Sequence, residues 1–262
     1  LFPHTALISS DGARYVFTSF PRYAGEAAVM FRFLARERGF RRIGIVHDEN
    51  VYGQFFLERL QEHAGASGYV VAASAAVGSR TPSDLTGALQ AMIDARADAV
   101  IMALYPAQAA TLMRAKAQLN WTAGRMVSVG PLTDEQYLNA PNGHAEGTLG
   151  FCYYPDPDLS DTPGVARYRS AMARYHAGHP LNRYSLYGYA FGNLVVAGLE
   201  GAGRALTRES FIDALERIRN WDAGGIMPNV SFAADNHHAQ RAGFICELRA
   251  GRFRALSDWI EP

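Results

Sequence analysis

One lysine, Lys116, stands among the 25 basic residues, and 25 acidic residues bring the formal net charge to zero. No basic run is present, so nucleic acid is not an expected partner. Only two cysteines occur, Cys152 and Cys246, in the strand-like runs LGFCYY and GFICEL. They form neither a CxxC nor a Cys/His cluster, which removes zinc from the reading. They read first as two buried thiols, with a disulfide left open for an oxidising compartment. No stretch approaches the roughly 18 apolar residues of a membrane span, so no direct membrane insertion is expected. A GxSxG elbow, a Walker loop and an HExxH pair are all missing. With no nucleophile–base pair and no metal set, the chain reads as a non-enzyme without a cofactor. There is no initiator Met and no signal peptide. The opening Leu1-Phe2-Pro3-His4-Thr5 looks like a strand end, as if the chain started inside a larger protein.

Against these absences stands a hydrophobic content of 48% with 25 glycines in 262 residues, enough for a core in one large domain or two lobes. The most informative stretch is 41–54, RRIGIVHDENVYGQ. Residues 43–46 are apolar and rich in β-branched side chains, as in a buried strand. The polar break His47-Asp48-Glu49-Asn50 carries Asx residues suited to a turn and a helix cap. Residues 51–63 then space Val51, Phe55, Phe56, Leu57 and Leu60 as a helix does. In an open parallel sheet, the loop after a strand's carboxyl end receives ligands, and Tyr52-Gly53 falls there.

The same alternation runs through the first half. Residues 14–19 read as a strand, 26–38 as an amphipathic helix stopped by Gly39. Strands are expected at 69–76, 98–104, 125–129 and 147–154. Helices are expected from 84 to 95, from Pro106 to about 119, and briefly after Gly130. This is the pattern of a parallel sheet with helices on both faces. Its rim would present Tyr52, Tyr105 and Leu132 from successive loops, an aromatic and apolar wall with few charges. Pro155-Asp156-Pro157-Asp158 reads as a hinge between lobes. Beyond it the pattern turns helical, with 185–199 apolar nearly all round and so in need of cover on all sides. Residues 226–232, 241–247 and 252–259 read as closing strands.

Other signals read as structure. Gly198–Gly203 holds GxxGxG at a helix tail, not after a strand. His237-His238 reads as a solvated loop, not a metal pair, since neighbours on extended chain point opposite ways. Asp134 and Glu135 read as a helix first turn, and His47 as a structural histidine at the rim.

Taken together, IGIVHDENVYG, PSDLTGALQAM, ADAVIMALYPAQAATLMRAKAQL, VGPLTDEQYL, HAEGTLGFCYYP and YSLYGYAFGNLVVAGLE resemble, in order and spacing, the periplasmic solute-binding proteins of the leucine/isoleucine/valine type. That resemblance implies a type I periplasmic binding fold: two α/β lobes, parallel sheets flanked by helices, and ligand closed between lobes by a hinge. The second lobe would be 22–153 plus 241–262, and the first lobe 1–21 plus 154–240. On the order of 100 residues of βα units that open the family's first lobe are absent here. Position by position, Tyr52, Tyr105 and Tyr184 match aromatic ligand contacts. His4, Thr5 and Ala6 fall in the loop that bonds a ligand carboxylate. Leu132 departs from the pattern, because amino-acid binders place a glutamate there to pair with the ligand's ammonium. A buried ammonium without a counter-charge is costly. The ligand expected is therefore an aromatic or aliphatic acid or a neutral metabolite rather than a branched-chain amino acid, unless Asp134 or Asp48 substitutes. The implied role is capture of a small molecule in the interlobe cleft, in the periplasm, for the membrane permease of an ABC importer. The alternative is a sensory domain of the same fold.

Overall fold

A computed structural model describes residues 13–18, 20–78, 83–133 and 145–262. His4, Thr5, Ala6, Asp134 and Glu135 lie outside the described residues. The chain divides into two compact units, Tyr23–Cys152 with Gly243–Pro262, and Tyr153–Ala242 with Leu1–Arg22.

The first of these is built on a sheet. Its strands are β1 (Arg42–Asp48), β2 (Val70–Val77), β3 (Ala99–Ala103), β4 (Arg125–Ser128), β5 (Leu149–Cys152), β6 (Phe244–Arg249) and β7 (Arg252–Ala255). They form a seven-stranded sheet in the order β2-β1-β3-β4-β5-β6-β7. Pairing is parallel from β2 through β5, and antiparallel for β5–β6 and β6–β7. The helices are α1 (Tyr23–Arg32), α2 (Val51–Ser67), α3 (Thr86–Asp94) and α4 (Pro106–Gln118). Right-handed crossovers put the β1–β2 connection, α2, on one face and the β2–β3 and β3–β4 connections, α3 and α4, on the other. Helix α1 packs beside α2, and α3 beside α4. The buried strands explain the continuous apolar runs: β3 is covered at every residue, and β1 from Ile43 to Asp48.

Each boundary has a local cause. Asn50 caps α2, its Oδ1 accepting from the Tyr52 and Gly53 amides at 3.0 and 3.3 Å. Gly68, with φ +77°, ends that helix. Helix α1 runs on into a π turn, Phe33–Glu37, before Gly39.

The second unit carries helices α5 (Pro163–Tyr175), α6 (Arg183–Ala202) and α7 (Arg208–Glu216). Two small side-chain positions let α6 and α7 approach, since a Cβ on Gly198 would lie 2.5 Å from Leu215 and Gly201 sits over Ala214. The N-terminus of α6 is tied by a buried guanidinium: Arg183 Nε donates to Tyr154 O at 3.0 Å, and the Asp156 carboxylate lies 3.8 Å from Nη2.

Several expectations are corrected here. Of the strand expected at 14–19, the described residues 14–18 form none: Ala13–Tyr15 is a 3-10 turn, and Thr18 makes one parallel bridge to His238. Residues 226–232 form no strand: Val230 bridges Trp221 through both backbone bonds, but Phe232 N donates to Ile218 O at 3.1 Å, out of register with that pair. Cys152 and Cys246 are not free thiols but a disulfide between β5 and β6, with Cα atoms 6.0 Å apart. His237 and His238 are buried, not solvated, at 6% and 5% exposure. His237 stacks on Phe17 with its Nε2 3.1 Å from Glu216, and His238 Nδ1 lies 2.7 Å from Thr18 Oγ1. The polar flank Asp235-Asn236 misleads because Asn236 turns the chain inward through its bridge to Ala233. Strand β6 runs against the rest of the sheet and β7 returns in the direction of β5, which the apolar pattern alone does not show.

Candidate functional site

In the sheet-bearing unit the strand order reverses between β1 and β3. The chain leaves β1 toward one face and β3 toward the other, opening a crevice at their carboxyl ends where ligands of such sheets bind. Tyr52 follows β1 and Tyr105 follows β3, so the structure brings these two predicted residues to that crevice. Their rings lie 5.6 Å apart and tilted by 33°. Tyr52 is half-buried and also meets Tyr23 and Phe56, at 5.4 and 5.5 Å. Tyr105 is 47% exposed.

A close approach of backbone fixes Tyr52. A Cβ on Gly53 would stand 1.9 Å from Asp48 O, so only glycine lets the first turn of α2 fold onto the end of β1. Beneath the tyrosines, Asp48 is fully buried. Its Oδ2 accepts from Gln108 Nε2 at 2.7 Å and its Oδ1 from the Asn50 amide at 2.9 Å. Gln108 Nε2 also donates to Gly78 O at 3.0 Å, while its Oε1 accepts from the Tyr105 amide at 2.9 Å. Asn50 Nδ2 donates to the Tyr105 hydroxyl at 3.1 Å. The loops after β1, β2 and β3 are thus held by one network. The Asp48 carboxylate spends both oxygens inside it, and so faces its own scaffold.

Burial, then the charge of Glu26, pushes the Tyr23 phenol up, keeping it a neutral hydroxyl beside Tyr52. Glu26 is buried in α1 and accepts from the Gly130 amide at 2.6 Å, anchoring the turn after β4. That turn, Gly130–Leu132, holds Leu132 with no exposure at all. His47 is buried with Nδ1 3.0 Å from Asp48 O. Tyr184 belongs to the other unit, half-buried in the first turn of α6. Sequence reading did not select Gln108, Asn50 or Tyr23 as site residues. Gln108 carried a signal, a glutamine at the third position of a helix opened by Tyr105-Pro106. Asn50 was legible only as a cap, and Tyr23 not at all.

The helical unit holds a cavity of about 680 Å³ between α5 and α6, walled by Tyr168, Met172, Tyr175, His179 and Tyr189. None of the described sequence-selected residues lines it. Among the described residues no group of three His, Cys, Asp or Glu side chains is placed to hold a metal ion. No described helix is long and apolar enough to cross a membrane.

Residues 1–252 match a family model described as periplasmic binding protein. Among solved structures, a branched chain amino acid ABC transporter protein from Thermus thermophilus with bound valine superimposes with TM-score 0.85 at 18% identity, over 99% of this chain and 70% of that one. A possible leucine/isoleucine/valine-binding protein from Rhodopirellula baltica gives 0.80 at 23% identity, over 94% and 67%. A fatty acid ABC transporter substrate-binding protein from Thermomonospora curvata gives 0.80 at 21% identity, over 95% and 65%. At these identities the likeness is one of fold. No curated protein matches the chain.

Proposed function

We propose, for a chain that belongs to the periplasmic binding protein family, the role of an extracytoplasmic, non-enzymatic solute-binding component serving the permease of an ABC importer. The sheet-bearing unit is the second lobe in this reading, and the helical unit is part of the first. The ligand is a small organic molecule, an aromatic or aliphatic acid or a neutral metabolite rather than a branched-chain amino acid. One observation carries the ligand class. The crevice between β1 and β3 offers the tyrosines Tyr52 and Tyr105, while the carboxylate beneath them, Asp48, is buried and bonded to Gln108 and Asn50. An ammonium would meet aromatic faces there but not that anion. Tyr184, His4, Thr5 and Asp134 stay in the ligand set on the resemblance alone.

A thermal-shift panel on the full-length protein tests this, because a ligand that binds only the native state raises the melting temperature. Benzoate, phenylacetate and hexanoate are expected to shift it more than leucine or valine at equal concentration. A dominant shift with leucine or valine would overturn the ligand class and make Asp134 the first residue to mutate. Turnover of a bound probe would overturn the non-enzymatic role.

A further inference from the structure

The amide of Asn50 has only one orientation compatible with its neighbours. Its Oδ1 accepts from the backbone amides of Tyr52 and Gly53, so Nδ2 is the atom that faces Tyr105. An amide nitrogen has no lone pair to offer. The Tyr105 hydroxyl therefore accepts from Asn50, and its own proton points elsewhere. A phenol has one proton to give. Among the described residues no acceptor takes it, and the side chain is exposed at the crevice. The backbone of Tyr105 is meanwhile pinned through Gln108 Oε1. The ring is held, the accepting side of the oxygen is occupied, and the donating side is turned outward.

We infer that Asn50 is a positioning residue that fixes the Tyr105 hydroxyl as a hydrogen-bond donor to the ligand, so that this part of the rim selects a carboxylate or carbonyl oxygen. The inference rests on the ligand reading above and adds to it a polarity for one atom. The same Asn50 side chain caps α2, so a change at this position must separate capping from polarity. Serine and aspartate both cap helices. Asn50→Ser keeps the cap but is too short to reach Tyr105. Asn50→Asp keeps the cap and reverses the polarity, since a carboxylate draws the phenolic proton inward.

The test uses the full-length protein labelled with [¹³Cζ]tyrosine, with benzoate and hexanoate as probes. In the free protein, the Tyr105 ¹³Cζ resonance is expected to move in both variants and furthest in Asn50→Asp, where the hydroxyl changes from acceptor to donor. By titration calorimetry, Asn50→Asp is expected to weaken benzoate binding by about tenfold or more and Asn50→Ser by about threefold, as for loss of one hydrogen bond. Equal thermal stability in the two variants would show the cap intact. A Tyr105 resonance that does not move, or benzoate binding equal in all three proteins, overturns the role of Asn50. If the unaltered protein binds neither acid while the resonance still moves as expected, the ligand class falls and the positioning role stands.

Discussion

Strand β3 of the sheet-bearing unit is buried at every residue, whereas α6 of the helical unit buries only one stripe. Leu186, Ala190 and Leu194 of α6 are covered, yet Val196 and Leu199 remain 49% and 39% exposed. Both segments are apolar nearly throughout. The difference lies in what surrounds them. A central strand has neighbours on both edges and helices on both faces, so an unpatterned apolar run is satisfied. Among the described elements α6 packs on α5 and α7, and its Tyr187 on Phe20 and Tyr154, which together cover one side of its cylinder. Apolar composition thus states a demand for burial, and the layers around an element decide whether it is met.

The largest way to sharpen this contrast is to open the disulfide. Cys152 and Cys246 close a loop with a sequence separation of 94. Replacing both by serine is expected to cost about 2–4 kcal/mol, read by urea unfolding. Trp121 and Trp259 report on the sheet-bearing unit and Trp221 on the helical one. The loss should appear in the first signal; a loss confined to the Trp221 signal would break the comparison. Next come paired glycine changes of opposite sign. Gly53→Ala forces a Cβ against Asp48 O and should destabilise by about 1–3 kcal/mol despite alanine's better helix propensity. Gly188→Ala in α6 meets nothing within 4 Å. It should stabilise by about 0.5–1 kcal/mol, and the same denaturant curves measure both. A destabilising Gly188→Ala would mean that the α6 face is covered after all.

The smallest effect is a slope with pH. Burial, then Arg22, Arg241 and His237, lowers the His238 pKa to about 4. Between that value and the unfolded histidine pKa of about 6.5, the unfolded chain binds more protons. His238 therefore adds stability at neutral pH that is lost as pH falls from about 6.5 toward 4. The Trp221 transition should weaken across that window, and His238→Gln should flatten it. An unchanged slope in His238→Gln would assign the effect to another group.

Much of the sheet was legible because its signals are local. The run Ile43-Gly44-Ile45-Val46, the Asn50 cap and the Tyr105-Pro106 helix start each state their own conformation within a few residues. So does Gly39, with its φ of +70°. What failed depended on partners distant in sequence. Residues 14–18 are apolar enough in sequence to suggest a strand, but pairing was decided by residues 237–239: Thr18 bonds His237 O and Ala239 N through its backbone and the His238 ring through its hydroxyl. The histidine pair looked like surface because its sequence neighbours are polar, whereas Phe17 covers His237, and Thr18 and Arg22 engage His238. At the candidate site, Tyr52 and Tyr105 were legible from strand-end position, since their loops must share a rim. The wiring beneath them was not. That Gln108 ties Asp48 to the loop after β2 is a fact of geometry across sixty residues of sequence.

The antiparallel pairing of β5 with β6 ends at Cys152 opposite Phe244, directly where the chain departs at Tyr153 and comes back at Gly243. In topological terms, β5 and β6 are a hairpin whose turn happens to be Tyr153–Ala242. The cystine acts as the clasp of that hairpin, setting its register from below and not from the turn. Such a hairpin is indifferent to the content of its loop. Cutting the excursion back to an Asn-Gly turn is accordingly expected to leave the order of the strands unchanged.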